Sequence, residues 1–301
     1  TMKSKIMRGL LMVCALFVIS NTFAQDKISP YYKIGDIKGS ISTVSATVVS
    51  ALQSKDFTIY GKYHPAANAD YYVIAFSRKD LYNVAINIKD RGLLGAMLKV
   101  SLIHKDGSVE VSLLNPDYMF NAYYRENYSS YSSKLNIITD DVKTALKSVG
   151  TDFTAFGGQK SASDLHKYHY MMGMPYFTDP VELATFNSFN EGLEIIKKNL
   201  QNKVGNTAKV YTLTFPKQEV AVFGIALNDK NTGEAHFLPI IGEKHIACMP
   251  YEIILEGSKA TMLHGRYRIA LYWPELTMGT FTKIMSTPGD VENAFKKVVG
   301  K

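Results

Sequence analysis

A weak internal repeat with a period of about 150 residues is the feature of this sequence that most constrains its fold. Four segments recur in the same order in the two halves of the chain. They are FTIYGKYHP, YVIAFSRK, MLKVSLI and VEVSLLNPDYM in the first half, and AKVYTLTFP, FGIALNDK, MPYEIIL and YRIALYWPELTM in the second half. The distance from Pro65 to Met97 is 32 residues and that from Pro216 to Met249 is 33. Because the register holds over a long stretch, we expect two related structural units rather than two unrelated domains with chance similarity.

The recurring segments are rich in β-branched and aromatic residues and alternate or run apolar, which predicts strands. A helix is expected before them in each half, over Ser42–Ser54 and Ser188–Leu200, and Ser188 with Glu191 has the spacing of a capping box. Turn residues at Lys105–Gly107 and Glu256–Lys259 predict hairpins. The order of elements predicts an α+β fold of two similar domains, each a small antiparallel sheet with helices packed on one face.

The first 24 residues have the pattern of a secretory signal peptide. Lys3, Lys5 and Arg8 precede the apolar run from Gly9 to Ile19, and cleavage is expected after Ala24. The alternative, a membrane anchor, needs roughly 20 apolar residues, about twice this run. The predicted organisation is therefore a signal peptide at 1–24, a first domain at 25–148, a connector at 149–180 and a second domain at 181–301.

Charge and cysteine content restrict the partners of the exported chain. Loss of the signal peptide lowers the 34 basic residues to 31 against 27 acidic ones, a balance too mild to predict nucleic-acid binding. Cys248 is then the remaining cysteine, so an intramolecular disulfide is excluded. We expect a soluble monomer or homodimer, in the periplasm or secreted, with no transmembrane segment after cleavage and with a small molecule or a protein as its partner.

Several of the recurring segments resemble those of domain-of-unknown-function family 302 (DUF302). The resemblance rests on VAVFGIALNDKNTGEAHFLP, ACMPYEIILEG and YRIALYWPEL in the second half and on LKVSLIHKDGSVEVSLLNPDYM in the first. It implies two tandem copies of a compact α+β domain over about 230 of the 301 residues. The family motif has Asn-Pro where this chain has Ile225-Ala226, and the resemblance implies no activity.

No local signature of a common catalytic mechanism is present: the sequence lacks the G-x-S-x-G, H-E-x-x-H, C-x-x-C, P-loop and dinucleotide-binding motifs. We therefore favour a protein that is not an enzyme. The alternative is a hydrolase or isomerase whose dispersed site in the second domain uses His245, Glu252, His264 and Arg266.

A candidate site for a small anion lies in the second half. Arg266 and Arg268 fall on the same face of a strand because side chains alternate along it, and two guanidinium groups can hold a carboxylate or phosphate. The same region supplies the other candidate ligand-binding residues: His264, Trp273, Glu252 and Tyr251. The favoured interpretation is an exposed strand face whose arginines pair with Glu252 or Glu256; anion binding is the alternative.

A candidate metal site lies in the connector. Imidazole and thioether ligands together suit copper, above all Cu(I). The candidate ligands there are His166, His169, Met171, Met172 and Met174, and a second soft pair is formed by His245 and Cys248. The favoured interpretation is packing, since methionine is an adaptable gap filler and cysteine a small buried residue; copper binding is the alternative.

The sequence thus predicts an exported binding protein whose ligand it does not name. Pockets form preferentially at domain interfaces. We expect the ligand in a groove between the domains, bordered by Met171–Phe177 and by a strand over Arg266–Trp273.

Overall fold

The structure is a computed structural model that describes residues 27–301. It confirms the α+β class: antiparallel sheets combine with helices. The strands are β1 (Lys27–Ile28), β2 (Tyr31–Lys38), β3 (Thr58–Tyr63), β4 (Tyr71–Ser77), β5 (Leu98–Lys105), β6 (Ser108–Leu114), β7 (Thr154–Phe156), β8 (Lys160–Ser161), β9 (Val181–Thr185), β10 (Thr207–Phe215), β11 (Val220–Leu227), β12 (Tyr251–Glu256) and β13 (Lys259–Met262).

The helices cover the sheets and form most of the connections between them. They are α1 (Ile41–Gln53), α2 (Lys79–Ala85), α3 (Pro116–Tyr124), α4 (Tyr128–Leu146), α5 (Ala162–His166), α6 (Phe189–Gln201), α7 (Glu234–Ile241), α8 (Gly265–Tyr272), α9 (Met278–Phe281) and α10 (Thr287–Val298). Within the described residues, no helix has both the length and the apolar character needed to cross a membrane. The predicted signal peptide lies outside the described residues.

The two large sheets have the same strand order. One runs β3-β4-β5-β6-β2, with β7 added beside β2, and the other runs β10-β11-β12-β13-β9. Each edge strand also carries a bulge at the same place, before Gly61 in β3 and before Tyr211 in β10. In each half a strand, β2 or β9, precedes the first large helix and pairs with the second strand of the hairpin, β6 or β13. The sequence predicted a helix as the first element of each half. The domain boundaries remain a prediction.

The hairpin turns and the helix start at Ser188 agree with their sequence signals. Asp106 and Gly107 both have positive φ between β5 and β6, as a tight hairpin turn requires. The Ser188 side chain accepts a hydrogen bond from the Glu191 N–H and caps α6. The Glu191 carboxylate reaches back to the N–H of Asn187 rather than to that of Ser188.

The strand predicted over Tyr267–Met278 is wrong: this segment contains α8. Likewise, the strand predicted to Met119 ends at Leu114 and is followed by α3. Both helices are buried along nearly their whole length. A short helix that is buried on all sides lacks the periodic polar residues of an amphipathic helix. Its sequence is a short apolar run, which also fits a buried strand.

The two halves pack against each other through equivalent surfaces. The 3₁₀ helix Gly92–Ala96 of the first half contacts β11 and β12, and the 3₁₀ helix Glu243–Cys248 of the second half contacts β5 and β6. The edge strands β3 and β10 also meet, and a Cβ at Gly61 would lie 2.2 Å from the Val210 carbonyl oxygen. Only glycine allows this approach of the two backbones. The result is one continuous buried core.

Candidate functional site

An open groove lies between the connector and the last helices of the chain. Its volume is about 240 Å³. The connector, α8 and the segment after α8 contribute the lining side chains. They are Tyr170, Met171, Met174, Arg266, Ile269, Ala270, Trp273, Leu276, Met278, Phe281 and Met285.

Helix α8 forms the floor, and its two ends are fixed by local chemistry. His264 Nδ1 accepts a hydrogen bond from the Arg266 N–H at 3.2 Å, which caps the first turn. Gly265 is needed because a Cβ there would lie 2.8 Å from the Cα of Pro288. Pro274 follows the last turn and disfavours a further helical residue before it. The chain therefore turns after Trp273 and returns along the groove through α9 and the segment that ends at Met285.

The connector is held over α8 by an anchor on each side of its methionines. On one side, the Tyr168 hydroxyl donates to the Ala270 carbonyl at 2.7 Å. On the other side, Phe177 is buried and its carbonyl accepts from Arg91 Nη2 at 2.8 Å. The segment between these anchors carries Tyr170, Met171 and Met174 to the rim of the groove.

The rim is apolar and exposed, while the floor is buried. Met171, Met278 and Met285 are 51%, 55% and 61% exposed, whereas Trp273 is 2% exposed. Exposed apolar side chains grouped around a depression are typical of binding sites. Their arrangement favours uptake of an apolar molecule.

A second group of predicted site residues lies in the core between the two sheets. Glu252 contacts Lys99 Nζ, accepts from the Tyr211 hydroxyl at 3.0 Å and lies 3.6 Å from Arg268 Nε. Burial lowers the pKa of Lys99, and the Glu252 carboxylate opposes that shift. More than nine-tenths of each of these four side chains is buried. The arrangement joins the two halves of the molecule in a buried ionic network.

Sequence reasoning missed Lys99 and Tyr211. The signal for Lys99 was available, since a lysine stands inside the apolar strand MLKVSLI. A buried lysine requires an anionic partner. The identity of that partner depends on how the two sheets meet, which no local pattern contains.

The predicted clamp of two guanidinium groups needs correction. Because the segment is helical, Arg266 is exposed on the groove, whereas Arg268 is 1% exposed beside Glu252. Arg268 donates to the carbonyls of Cys248 and Pro250, and its guanidinium lies 3.8 Å from the Tyr251 ring centre. The structure therefore brings Arg268, Glu252 and Tyr251 together and separates them from Arg266.

The candidate metal ligands of the connector fall in three places. His166 Nε2 lies 2.9 Å from Asn121 Oδ1, and His169 Nδ1 lies 2.8 Å from the Met171 carbonyl oxygen. Met171 and Met174 line the groove. Among the described residues, no group of three or more His, Cys, Asp or Glu side chains is arranged to hold a metal ion.

The pair of His245 and Cys248 is enclosed by the core. The His245 ring packs near the rings of Tyr31, Phe156 and Trp273, and burial lowers its pKa to about 4. Cys248 is fully buried and free, and burial raises the pKa of its thiol. Both changes favour the neutral forms, which suits apolar packing.

The four residues of the dispersed enzyme site have separate surroundings. His245 lies among aromatic rings, Glu252 in the ionic network, and His264 beside Arg266 at the start of α8. Within residues 27–301, no contact joins these three places into one constellation.

Comparisons with known proteins add little to this geometry. No protein-family model matches the chain, and no curated protein matches it. One solved structure, an uncharacterized conserved DUF302 protein from Bacillus stearothermophilus, is similar to it with a TM-score of 0.34 and 8% identity. That match covers 39% of this chain and 96% of the other. Tandem DUF302 copies therefore remain a prediction, and the function has to be argued from the groove.

Proposed function

We propose that this protein binds a small apolar molecule in the groove above α8. The observation that carries the proposal is the placement of the exposed large hydrophobic side chains. Four of them, Tyr170, Met171, Met278 and Met285, line the groove. Methionine side chains are flexible and polarizable, so they adapt to ligands of different shape.

The dimensions favour a small molecule over a protein partner. A stable protein–protein interface uses about 20–30 residues on each side. The groove is lined by 11 side chains and has a buried indole, Trp273, at its floor. Such a depression encloses the body of a small ligand and leaves too little area for a protein surface. The signal-peptide pattern of residues 1–24 supports a role for this binding protein outside the cytoplasm.

The groove contains its own spectroscopic reporter, because Trp273 is the one tryptophan of the chain. We expect the uncharged dye N-phenyl-1-naphthylamine to quench Trp273 emission by energy transfer, saturably and with a simple stoichiometry. The double variant Met278→Ser/Met285→Ser removes exposed apolar contacts from one side of the groove. It should weaken dye binding about tenfold, the effect of roughly 50 Å² of lost apolar contact.

The matched control is Ile137→Ser, which removes an equally exposed apolar side chain from α4. This variant should bind the dye like the wild-type protein. Equal dye affinity in the wild-type protein and the double variant, with both folded by circular dichroism, would exclude the groove as the binding site.

A further inference from the structure

We infer that the ligand of the groove carries an anionic head group, which Arg266 binds, and that it is an amphiphile of the fatty-carboxylate type. This inference rests on the proposed function and specifies its substrate class. Arg266 is exposed and is the charged member of the groove lining; the other ten lining side chains carry no charge.

The Arg266 guanidinium has no ionic partner within the described residues. The two carboxylates that act on the neighbouring His264, those of Asp179 and Glu292, have other contacts. Asp179 accepts the Tyr176 N–H at 3.0 Å, and Glu292 pairs with Lys296 at 2.6 Å. An exposed arginine beside an apolar depression, with no carboxylate in salt-bridge contact, is therefore available for an anion from solution.

The position of Arg266 in its helix adds to this preference. It lies in the first turn of α8, where the backbone dipoles give a partial positive charge. Ile269 and Ala270 of the same helix, and Trp273 directly after it, continue along the floor of the groove. A carboxylate at Arg266 would thus leave an alkyl chain lying over these apolar residues. The cation at the rim suits a ligand with one anionic head group, and the apolar floor suits a ligand with one alkyl tail.

The test compares ligands with the same ten-carbon chain and different head groups. Decanoate, decanol and decyltrimethylammonium are titrated as competitors of N-phenyl-1-naphthylamine, with Trp273 emission as the readout. We expect decanoate to displace the dye at the lowest concentration and the cationic amphiphile at the highest. Arg266→Gln should weaken decanoate about fivefold, the upper range for an exposed ion pair, and should leave decanol unchanged. Salt should weaken decanoate alone, since exposed charges are screened.

Lys283→Gln is the matched control, because Lys283 is exposed near the groove but is not part of its lining. It should leave decanoate binding as it is in the wild-type protein. The inference would be overturned if decanoate and decanol displaced the dye equally, or if the Arg266→Gln variant bound decanoate normally. Either result would leave the proposed binding of an apolar molecule unaffected. Absence of dye binding to the wild-type protein would overturn the proposed function itself.

Discussion

Helices α3 and α8 occupy the same position in the two halves, yet one is covered and the other borders the groove. Each follows the second strand of a hairpin and is capped by a side chain, Asn115 in α3 and His264 in α8. The caps are 149 residues apart, and so are Tyr123 and Tyr272, whose hydroxyls are hydrogen-bonded to each other at 2.7 Å. Positions in the two helices can therefore be compared one by one.

The residues that correspond to Arg266 and Ala270 are Asp117 and Asn121. In α3 both are engaged by other helices: Asp117 accepts from Thr139 of α4 and lies 3.8 Å from Lys143, and Asn121 contacts His166 of α5. In α8 the same face is open to the groove. Helix α4 spans 19 residues, whereas the matching part of the second half is divided into the shorter α9 and α10. The groove exists where the second half lacks this cover.

The largest expected effect on stability comes from a second difference between the halves, the sign of the buried charge in each sheet. Ala75 and Gly224 are equivalent, because they pair with Gly61 and Tyr211, the residues that follow the two bulges. Lys99 pairs with Ala75 in one sheet and Glu252 with Gly224 in the other, so these two residues hold the same register position with opposite charge. Replacing Glu252 by Gln leaves Lys99 and Arg268 buried without a counter-charge. We expect a loss of about 3–5 kcal/mol in the free energy of unfolding, measured by urea denaturation.

Lys99→Met is the companion variant. It should cost clearly less, since Glu252 keeps Tyr211 and Arg268 as partners. A Lys99→Met variant less stable than Glu252→Gln would contradict the view that Glu252 is the centre of the network.

Titration of Glu234 is expected to have an intermediate effect on the free energy of unfolding. Helices α2 and α7 both have an acidic residue in the first turn, but Asp80 is exposed whereas Glu234 is fully buried. Glu234 accepts hydrogen bonds from Ala66 and Tyr63 of the first half. Burial raises its pKa from 4.5 to about 7. Between these values the folded state binds more protons than the unfolded state, so stability should fall as the pH rises.

The loss across that window is at most about 3 kcal/mol, and urea denaturation at pH 5 and pH 7.5 measures it. Glu234→Gln should remove this part of the pH dependence, and Asp80→Asn serves as the control on the exposed equivalent. A Glu234→Gln variant that retains the full slope would show that other groups cause it.

The smallest effects should distinguish the covered helix from the open one. Asn121→Ala removes the contact with His166 on α3 and should lower the free energy of unfolding by about 1 kcal/mol. Met285→Ser, at the rim above α8, should change it by no more than about 0.5 kcal/mol. Thermal unfolding of the two variants measures both values, and equal destabilisation would indicate that the groove side chains are packed as tightly as their counterparts.

The elements of the fold with a local signal were predicted from the sequence. The hairpin turns and the start of α6 were found because turn residues and the Ser188 cap act within a few positions. Strands β2 and β9 were not predicted, because neither has the regular alternation of buried and exposed residues that indicates a strand. Helix α8 was read as a strand, since its residues are buried almost all round.

The site was predicted in part. The connector from Met171 and the segment from Arg266 to Trp273 were expected to border one groove, and both contribute to its lining. The prediction that Arg266 and Arg268 share one face was wrong, because it assumed a strand and the segment is helical. Met278, Phe281 and Met285 were missed, since their place on the groove follows from the turn after Pro274 and from α9.

The ion pair of Lys99 and Glu252 has a consequence for how the halves choose their partner. In a symmetric dimer of identical subunits, equivalent positions near the axis face their own copies. A first half that paired with another first half in this way would place two Lys99 ammonium groups together in a dry interior, without the carboxylate of Glu252. This arrangement buries like charges, which is strongly unfavourable. The buried lysine thus selects against self-association of the first half and in favour of the partner supplied by the same chain.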